Sequence, residues 1–429
     1  MKFSPKFSRF LTRLGYLLCV ASAFYASYGF ANYLASKQSF VPEIIFEWEY
    51  DIPFVAWTIL PYWSLNLLYG FGFLLCKNSR ELKRYTAQLL LSQLIAVIFF
   101  ILFPLQISWS KPESFGLSKF LFDSLATFDM PFNQAPSLHI ILCVVVGSLY
   151  ISKTSKIWLK AIILAWFALI ALSVLTTYQH HFIDIPTGLL VGFLVLVIVP
   201  IEGEILKFNP AHTASHIKWV SFYALLALIF AAFAFYLGGA FLWLLYFSVS
   251  FALVGFGYAL FGVQIFRKEK NGKISSFWLL LPYLIIARLN IIYWLNFKRA
   301  PRSSEILPNV HLGSITEAHK FEAVFDLTAE CEFHPKAEQI YLNFAMLDMV
   351  KPKFDELKAA VKAMDSIISK NKRTLVCCAL GYGRSALVLL GWLVWRNKMN
   401  VDDAILLIKN SRPKVVIDDS VRKFFMEFG

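Results

Sequence analysis

Thr374-Leu375-Val376-Cys377-Cys378-Ala379-Leu380-Gly381-Tyr382-Gly383-Arg384-Ser385 decides how the C-terminal part of this 429-residue chain is read. An apolar, strand-like run enters it, and a helix-like run, Ala386 to Trp395, leaves it. Such a strand, glycine-bearing loop and helix N-terminus form an anion cradle, because backbone N–H groups converge there and the helix dipole favours negative charge. Gly381 and Gly383 give the loop its freedom, and the Arg384 fork can take two phosphate oxygens at once. Cys378, separated from that Arg by five residues, sits in a positive field that favours the thiolate, the nucleophilic form of the side chain. The bland alternative is a structural Cys near an unrelated Arg. The two glycines, Ser385 and the flanking strand and helix patterns argue against it.

The segments upstream fit an open α/β domain. Phe321 to Leu327 and Gln339 to Phe344 read as strands, Lys351 to Ile368 as an amphipathic helix, and Thr374 to Cys377 as a central strand. A parallel sheet with crossover helices places its site at the strand C-termini, where Asp348 lies on a loop. Asp326, Asp418, Asp419 and the helix Val401 to Lys409 read as structural, with Asp326 in reserve as an acid.

With these residues in place, about 303–429 resembles the Cys-dependent dual-specificity (tyrosine-phosphatase-like) phosphatases. The resemblance implies that Cys378 is the nucleophile and Arg384 the phosphate-binding Arg. It makes Ser385 the hydroxyl that helps expel the thiolate, and Asp348 the group that protonates the leaving oxygen and then activates water. The residue before the nucleophile departs from the family's usual His and is Cys377. A reversible Cys377–Cys378 disulfide is conceivable, but adjacent cysteines bridge only with strain.

Composition speaks for the rest of the chain. It is 58% hydrophobic, 17% aromatic and only 16% charged, with a mean hydropathy of +0.59. Soluble domains are nearer a quarter charged, and several runs here reach the ~20 apolar residues that a bilayer span needs. The net charge of +13 therefore reads as positive loops that hold one side of a membrane, and nucleic acid is not an expected partner. The 6 cysteines show neither zinc spacing nor a disulfide framework.

Eight spans are expected, at about 10–35, 53–76, 87–107, 138–151, 157–177, 185–201, 219–237 and 240–263. Ala21-Ser22-Ala23 looks like a cleavage site, but the apolar run continues past it, so an uncleaved first helix is expected. With the N-terminus inside, the basic loops 77–84, 152–156 and 267–273 all fall inside. Ser275 to Phe297 is apolar but carries Pro282, Arg288 and Asn290, and reads as interfacial or re-entrant, with Lys298, Arg299 and Arg302 after it.

On that topology the loops 108–136 and 178–184 lie outside together. Pro136-Ser137-Leu138-His139 opens one span and Gln179-His180-His181-Phe182-Ile183-Asp184 another. A neutral imidazole can attack phosphorus, an Asp four residues on can fix its tautomer, and a second His can protonate the leaving oxygen. Interfacial histidines at span ends, or part of a zinc site, are the alternatives, though no matching further ligand stands out. Asn133-Gln134-Ala135-Pro136-Ser137-Leu138-His139 and His180-x-x-x-Asp184 resemble the second and third motifs of the type-2 phosphatidic acid phosphatase (PAP2) superfamily. The resemblance implies a six-helix core over about 53–201 plus the first span. It makes His180 the nucleophile, Asp184 its orienting partner, His139 the general acid and Ser137 a phosphate donor. Two cations of that family's motifs are replaced by Pro104 and Val174, and Lys111-Pro112 stands where an Arg-Pro is usual.

The expected architecture is a membrane all-α part, a PAP2-like six-helix core plus extra helices over 1–265, then a basic loop and interfacial segment over 266–302. A soluble α/β dual-specificity phosphatase domain follows over 303–429. The expected function is a membrane-bound phosphatase with a Cys site and a His site. Its catalytic residues are Cys378, Arg384, Asp348, Ser385, His180, His139 and Asp184; Gly381, Gly383, Ser137 and Lys111 bind substrate. No metal or cofactor is required at either site. The partners expected are phosphorylated lipid or phosphoprotein substrates and membrane lipids. The expected location is a bacterial inner membrane, with the phosphatase domain cytoplasmic. Two rivals are a lipid-headgroup phosphotransferase, since the third motif also resembles inositol-phosphorylceramide and sphingomyelin synthases, and a lipid-phosphate sensor without turnover, which the missing cations motivate.

Overall fold

Apolar runs in a bilayer fold as helices because the backbone must satisfy its own hydrogen bonds there. The computed structural model describes residues 5–127, 129–211, 213–297, 301–370, 372–417 and 419–428; Lys298, Arg299 and Asp418 lie outside them. Its first part holds α1 (Pro5–Ser36), α2 (Ile59–Leu75), α3 (Ser79–Leu102), α4 (Gly116–Ala126), α5 (Leu138–Ser152), α6 (Ile157–Thr176) and α7 (Asp184–Ile198). Then come α8 (Ala214–Leu237), α9 (Leu244–Phe256), which runs on through a π-helical turn Gly257–Phe261, and α10 (Phe277–Asn296). Among the described residues, 7 helical stretches are long and apolar enough to cross a membrane: Phe7–Ser36, Ala56–Leu75, Ser79–Leu102, Ile157–Thr176, Ala214–Leu237, Gly239–Phe266 and Phe277–Asn296.

The chain divides into two units, Met1–Ile205 and Leu206–Gly429. In the first, Val20, Leu65, Leu89, Val146, Ile170 and Val195 share one buried cluster, so α1, α2, α3, α5, α6 and α7 form a six-helix core. The helix α4 stands in the stretch expected as an irregular loop. The basic run expected as a loop at 77–84 is mostly the first turns of α3, which the Asn78 side chain caps by accepting from Glu81 N. The segments expected as spans seven and eight stand in the second unit, with the C-terminal domain.

That domain adds β1 (Ser303–Leu307), β2 (Val310–Ser314), β3 (Ala323–Thr328), β4 (Ile340–Met346), α11 (Phe354–Ile368), β5 (Thr374–Cys378), α12 (Arg384–Trp395), α13 (Val401–Ser411) and α14 (Asp419–Phe428). The sheet order is β1-β2-β5-β3-β4. β5 is central and runs parallel to both β2 and β3, while the β1–β2 hairpin, absent from the sequence reading, is antiparallel. Strand residues alternate faces. Val376 and Cys378 join the core with α11 to α14, whereas Leu375 and Cys377 join a second cluster with Phe321, Phe333 and Ile291 and Leu295 of α10. Helix α10 thus covers the other face of the sheet. Cys377 and Cys378 consequently point apart, and both are free thiols, so a bridge between them does not fit the strand.

Candidate active site

Cys378 ends β5, and Arg384 begins α12. The loop between them is held from outside, carbonyl by carbonyl. Ser314 Oγ donates to Ala379 O at 2.6 Å. Arg412 donates to Leu380 O through Nη2 and to Gly381 O through Nε, each at 2.8 Å. Val416 N donates to Tyr382 O at 2.8 Å. With its carbonyls turned outward, the loop leaves its N–H groups for the interior, which is what an oxyanion needs. Gly381 takes φ +76°, and a Cβ there would lie 2.4 Å from the Gly313 carbonyl carbon, so only glycine fits. The Cys378 sulfur accepts from Gly381 N and from Ser385 Oγ, both at 3.3 Å.

Arg384 is buried, and its fork does not stand open as the sequence suggested. Nη1 donates to Glu330 Oε2 at 2.9 Å and to Met346 O at 2.9 Å, and Nη2 donates to Glu330 Oε1 at 2.5 Å. Its Nε edge lies 3.2 Å from Asp348 Oδ1. Glu330 therefore fixes the guanidinium in place while Asp348 lies against its other edge. Glu330 is held below the ordinary carboxylate range: burial opposes this, but the charge and hydrogen bonds of Arg384 outweigh it. Asp348, partly exposed, is pushed above that range by burial first and by Glu330 as well, with Arg384 opposing. A raised carboxyl suits a proton donor. Asp326 is elsewhere. It is buried and accepts from Thr328 N, Tyr341 Oη and Lys268 Nζ, the last at 2.5 Å. The basic run 267–273, expected as an inner loop that sets topology, thus sends Lys268 into the domain, where it also donates to Thr328 O and Oγ1.

In the first unit, His180 Nδ1 lies 3.0 Å from Asp184 Oδ2, and its Nε2 lies 3.1 Å from Ser137 Oγ. Asp184 Oδ2 also accepts from His181 N at 3.1 Å and, in the amide orientation that satisfies its neighbours, from Gln134 at 3.1 Å. His139 is turned differently. Its Nε2 meets Tyr62 O at 3.1 Å, and its ring stacks on Tyr62 with centroids 3.9 Å apart. Ser137 caps α5 and Asp184 begins α7. These 15-residue helices are about 22 Å long, short of the ~30 Å hydrocarbon core. Gly188 lets the two helices meet: a Cβ there would lie 2.8 Å from Ser137 O and from Ile140 Cβ.

A cavity of about 470 Å³ adjoins this constellation, lined by Lys111, Asp129 and Gln179 among others. Burial lowers Lys111 below its usual range, against the pull of Asp129. Burial raises Asp129, against a hydrogen bond from Tyr28 and the charges of His180 and Lys111. Asp129, Glu330 and Arg412 have no local motif, and Lys268 reads in the sequence only as one charge of the basic run 267–273. Only a buried partner, distant in sequence, gives each its meaning.

Comparison with known proteins agrees with this division. The family description "Dual specificity phosphatase, catalytic domain" matches residues 308–429, and "PAP2 superfamily" matches residues 40–198. The human dual specificity protein phosphatase 1 is 28% identical over 117 residues, which are 25% of this chain and 32% of that protein. The mouse dual specificity protein phosphatase 2 is 26% identical over 117 residues, with 25% and 37% covered. The chain spans about a third of the length of these curated relatives. Among solved structures, Tk-PTP in its active form is 20% identical at a TM-score of 0.27, covering 30% of this chain and 95% of that one. Human DUSP28 is 18% identical at 0.25, covering 30% and 93%. The chain carries an N-terminal PAP2-like membrane domain and a C-terminal dual-specificity-phosphatase-like domain, and its matches lie in phosphatase families of hydrolases.

Proposed function

We propose that this chain, a PAP2-like membrane domain joined to a dual-specificity-phosphatase-like domain, hydrolyses phosphomonoesters at Cys378 and lipid phosphates at His180. The observation that carries the first site is the preformed cradle: Cys378 sulfur receives Gly381 N and Ser385 Oγ inside a loop whose carbonyls are all tied outward. The Cys378 thiolate attacks phosphorus as the P–O bond to the leaving alcohol breaks, and Asp348 gives that oxygen its proton. Phosphate oxygens lie on the loop N–H groups and on the Nε edge of Arg384, where they take the place of Asp348 while Glu330 holds the guanidinium from behind. Asp348, now a carboxylate, takes a proton from water as the water attacks the phosphocysteine. Ser385 Oγ donates to the departing sulfur, and free phosphate leaves.

At the second site His180 Nε2 is the nucleophile, and Asp184 on Nδ1 keeps its lone pair directed outward. Ser137, whose Oγ lies 3.1 Å from Nε2, would turn its hydroxyl to a phosphate oxygen. His139 protonates the leaving oxygen after parting from Tyr62, then takes a proton from the water that attacks the phosphohistidine, so the P–N bond breaks, phosphate leaves and His180 is restored. Lys111 supplies the one cation facing the adjoining cavity from the replaced first motif. The basic hairpin that binds the catalytic domain supports an inner location for Cys378.

A phosphate-release screen of the full chain tests both assignments. It runs over prenyl diphosphates, phosphatidic acid, phosphatidylglycerol phosphate and phosphotyrosine peptides. Cys378→Ser should abolish one set of activities and His180→Ala the other. Turnover of every substrate surviving both substitutions refutes the proposal.

A further inference from the structure

Three features of the second unit converge beside Asp348. The first is the path of α10. At its start, Phe333 N donates to Gly272 O at 3.2 Å and Lys268 enters the domain; near its end, Ile291 and Leu295 are buried against the sheet. Twenty helical residues measure about 30 Å. A helix gripped at both ends by one water-soluble domain lies along that domain, whereas a crossing would put its ends on opposite sides of the hydrocarbon. Its outward face carries Trp278, Ile285, Leu289, Ile292 and Phe297, all exposed. That face offers apolar side chains to lipid, and the helix packs on α9; both stretches are long enough to cross, and it is the grip of the domain at both ends that lays α10 along it.

The second feature is a tether. Tyr258, in the π-helical turn that ends α9, donates to Asp348 O at 3.0 Å, so the loop of the proposed acid hangs from the end of a membrane helix. The third is a cleft of about 80 Å³ between them. Its membrane-side wall includes His216, Tyr258 and Val263, and its domain-side wall includes Leu347, Lys351 and Lys353.

We propose that the Cys378 site acts on a phosphomonoester lipid whose acyl chains stay in the bilayer and whose headgroup enters between the ends of α8 and α9 and the loop 347–353. This rests on the reading of Cys378 as the nucleophile. The leaving oxygen must face Asp348, so the body of the substrate lies on the Asp348 side of the cradle. On that side the neighbours are helix ends and an in-plane helix, and the cleft lining carries Lys353 and Lys351 beside one carboxylate, Glu356. The alcohol released is then a neutral or phosphodiester lipid that remains in the membrane, and phosphate leaves to water.

The experiment uses the full chain in nanodiscs, with His180→Ala to silence the other site. Three substrates are compared: long-chain phosphatidic acid in the disc, a phosphotyrosine peptide and a small aryl phosphate. The expected kcat/KM for the lipid exceeds that for the peptide by about tenfold or more. Val263→Trp, which fills the cleft, and Lys353→Glu should each lower lipid turnover about fivefold or more and change aryl phosphate turnover less than about twofold. Faster turnover of the peptide overturns the inference. So does equal loss on all three substrates in both variants. Aryl phosphate hydrolysis that does not depend on Cys378 overturns the underlying reading and the inference with it, and is distinguished by the Cys378→Ser control.

Discussion

Replacing Lys268 by Met tests whether the hairpin before α10 is part of the catalytic domain. The ammonium is buried, as is its partner, with side chains 2% and 0% exposed. All three of its protons are used, on Asp326 Oδ2, Thr328 O and Thr328 Oγ1. Met fills most of the volume but leaves Asp326 charged in a dry site, with only Thr328 and Tyr341 to solvate it. Removing one partner of a buried pair costs about 3–5 kcal/mol. For a unit of this size that is a fall in Tm of about 6–20 °C. The assay is thermal inactivation of Cys378-dependent phosphate release by the full chain, read beside intrinsic fluorescence. Asp326→Asn in the same chain removes the orphaned charge and should restore at least half of the loss, a coupling that a double-mutant cycle isolates. A Lys268→Met Tm within about 1 °C of wild type, equivalent to under 0.5 kcal/mol, would refute the argument that the pair is dry and structural.

Arg412→Met takes two charged donors from the Leu380 and Gly381 carbonyls, each interaction worth about 1.5–3 kcal/mol; kcat/KM at the Cys378 site should fall at least about tenfold, and an unchanged rate would mean the loop holds its shape alone. Because Asp348 is raised above the usual carboxylate range, with Arg384 and Glu330 beside it, turnover of alkyl phosphates should be flat at low pH and decline as pH rises through its pKa. Asp348→Asn should abolish that declining limb and spare aryl phosphates with good leaving groups; a persisting limb assigns the proton elsewhere. Gly188→Val must push α5 from α7, an overpacking cost of about 1–3 kcal/mol, and should depress the His180-dependent activity while leaving the Cys378-dependent one intact; full activity at His180 would show that the helices can part without disturbing Ser137.

What the sequence made legible follows from how local each signal is. Membrane helices announce themselves by hydropathy alone: six of the eight expected spans stand among the described stretches long and apolar enough to cross. Leu138–Ser152 and Asp184–Ile198 are shorter, and Phe277–Asn296, expected as interfacial, is long enough as well. The Cys378 loop is legible because nucleophile, glycines, Arg384 and Ser385 lie within eight residues of chain, and His180 with Asp184 because only three residues separate them. The limits appear where a residue's meaning comes from a distant partner. Arg412 holds carbonyls 31 and 32 residues away. Lys268 was counted among topology-setting charges, since nothing nearby in sequence reveals the carboxylate it meets. The fork of Arg384 looked open because Glu330 lies 54 residues upstream. The hairpin β1–β2 is short, and α4 lies in a stretch too short and too polar for a span.

The buried pair also orders events during biosynthesis. Lys268 leaves the ribosome 58 residues before Asp326 and waits beside the freshly inserted helices as an unpaired cation. The strand that carries Asp326 completes its pairing only when it finds that lysine, so the catalytic domain matures at the place where its membrane segment already sits. A fragment severed between Gly272 and Ser303 would carry a stranded carboxylate into its own core and present itself to proteolysis. Cleavage there would destroy the enzyme instead of setting a soluble phosphatase loose.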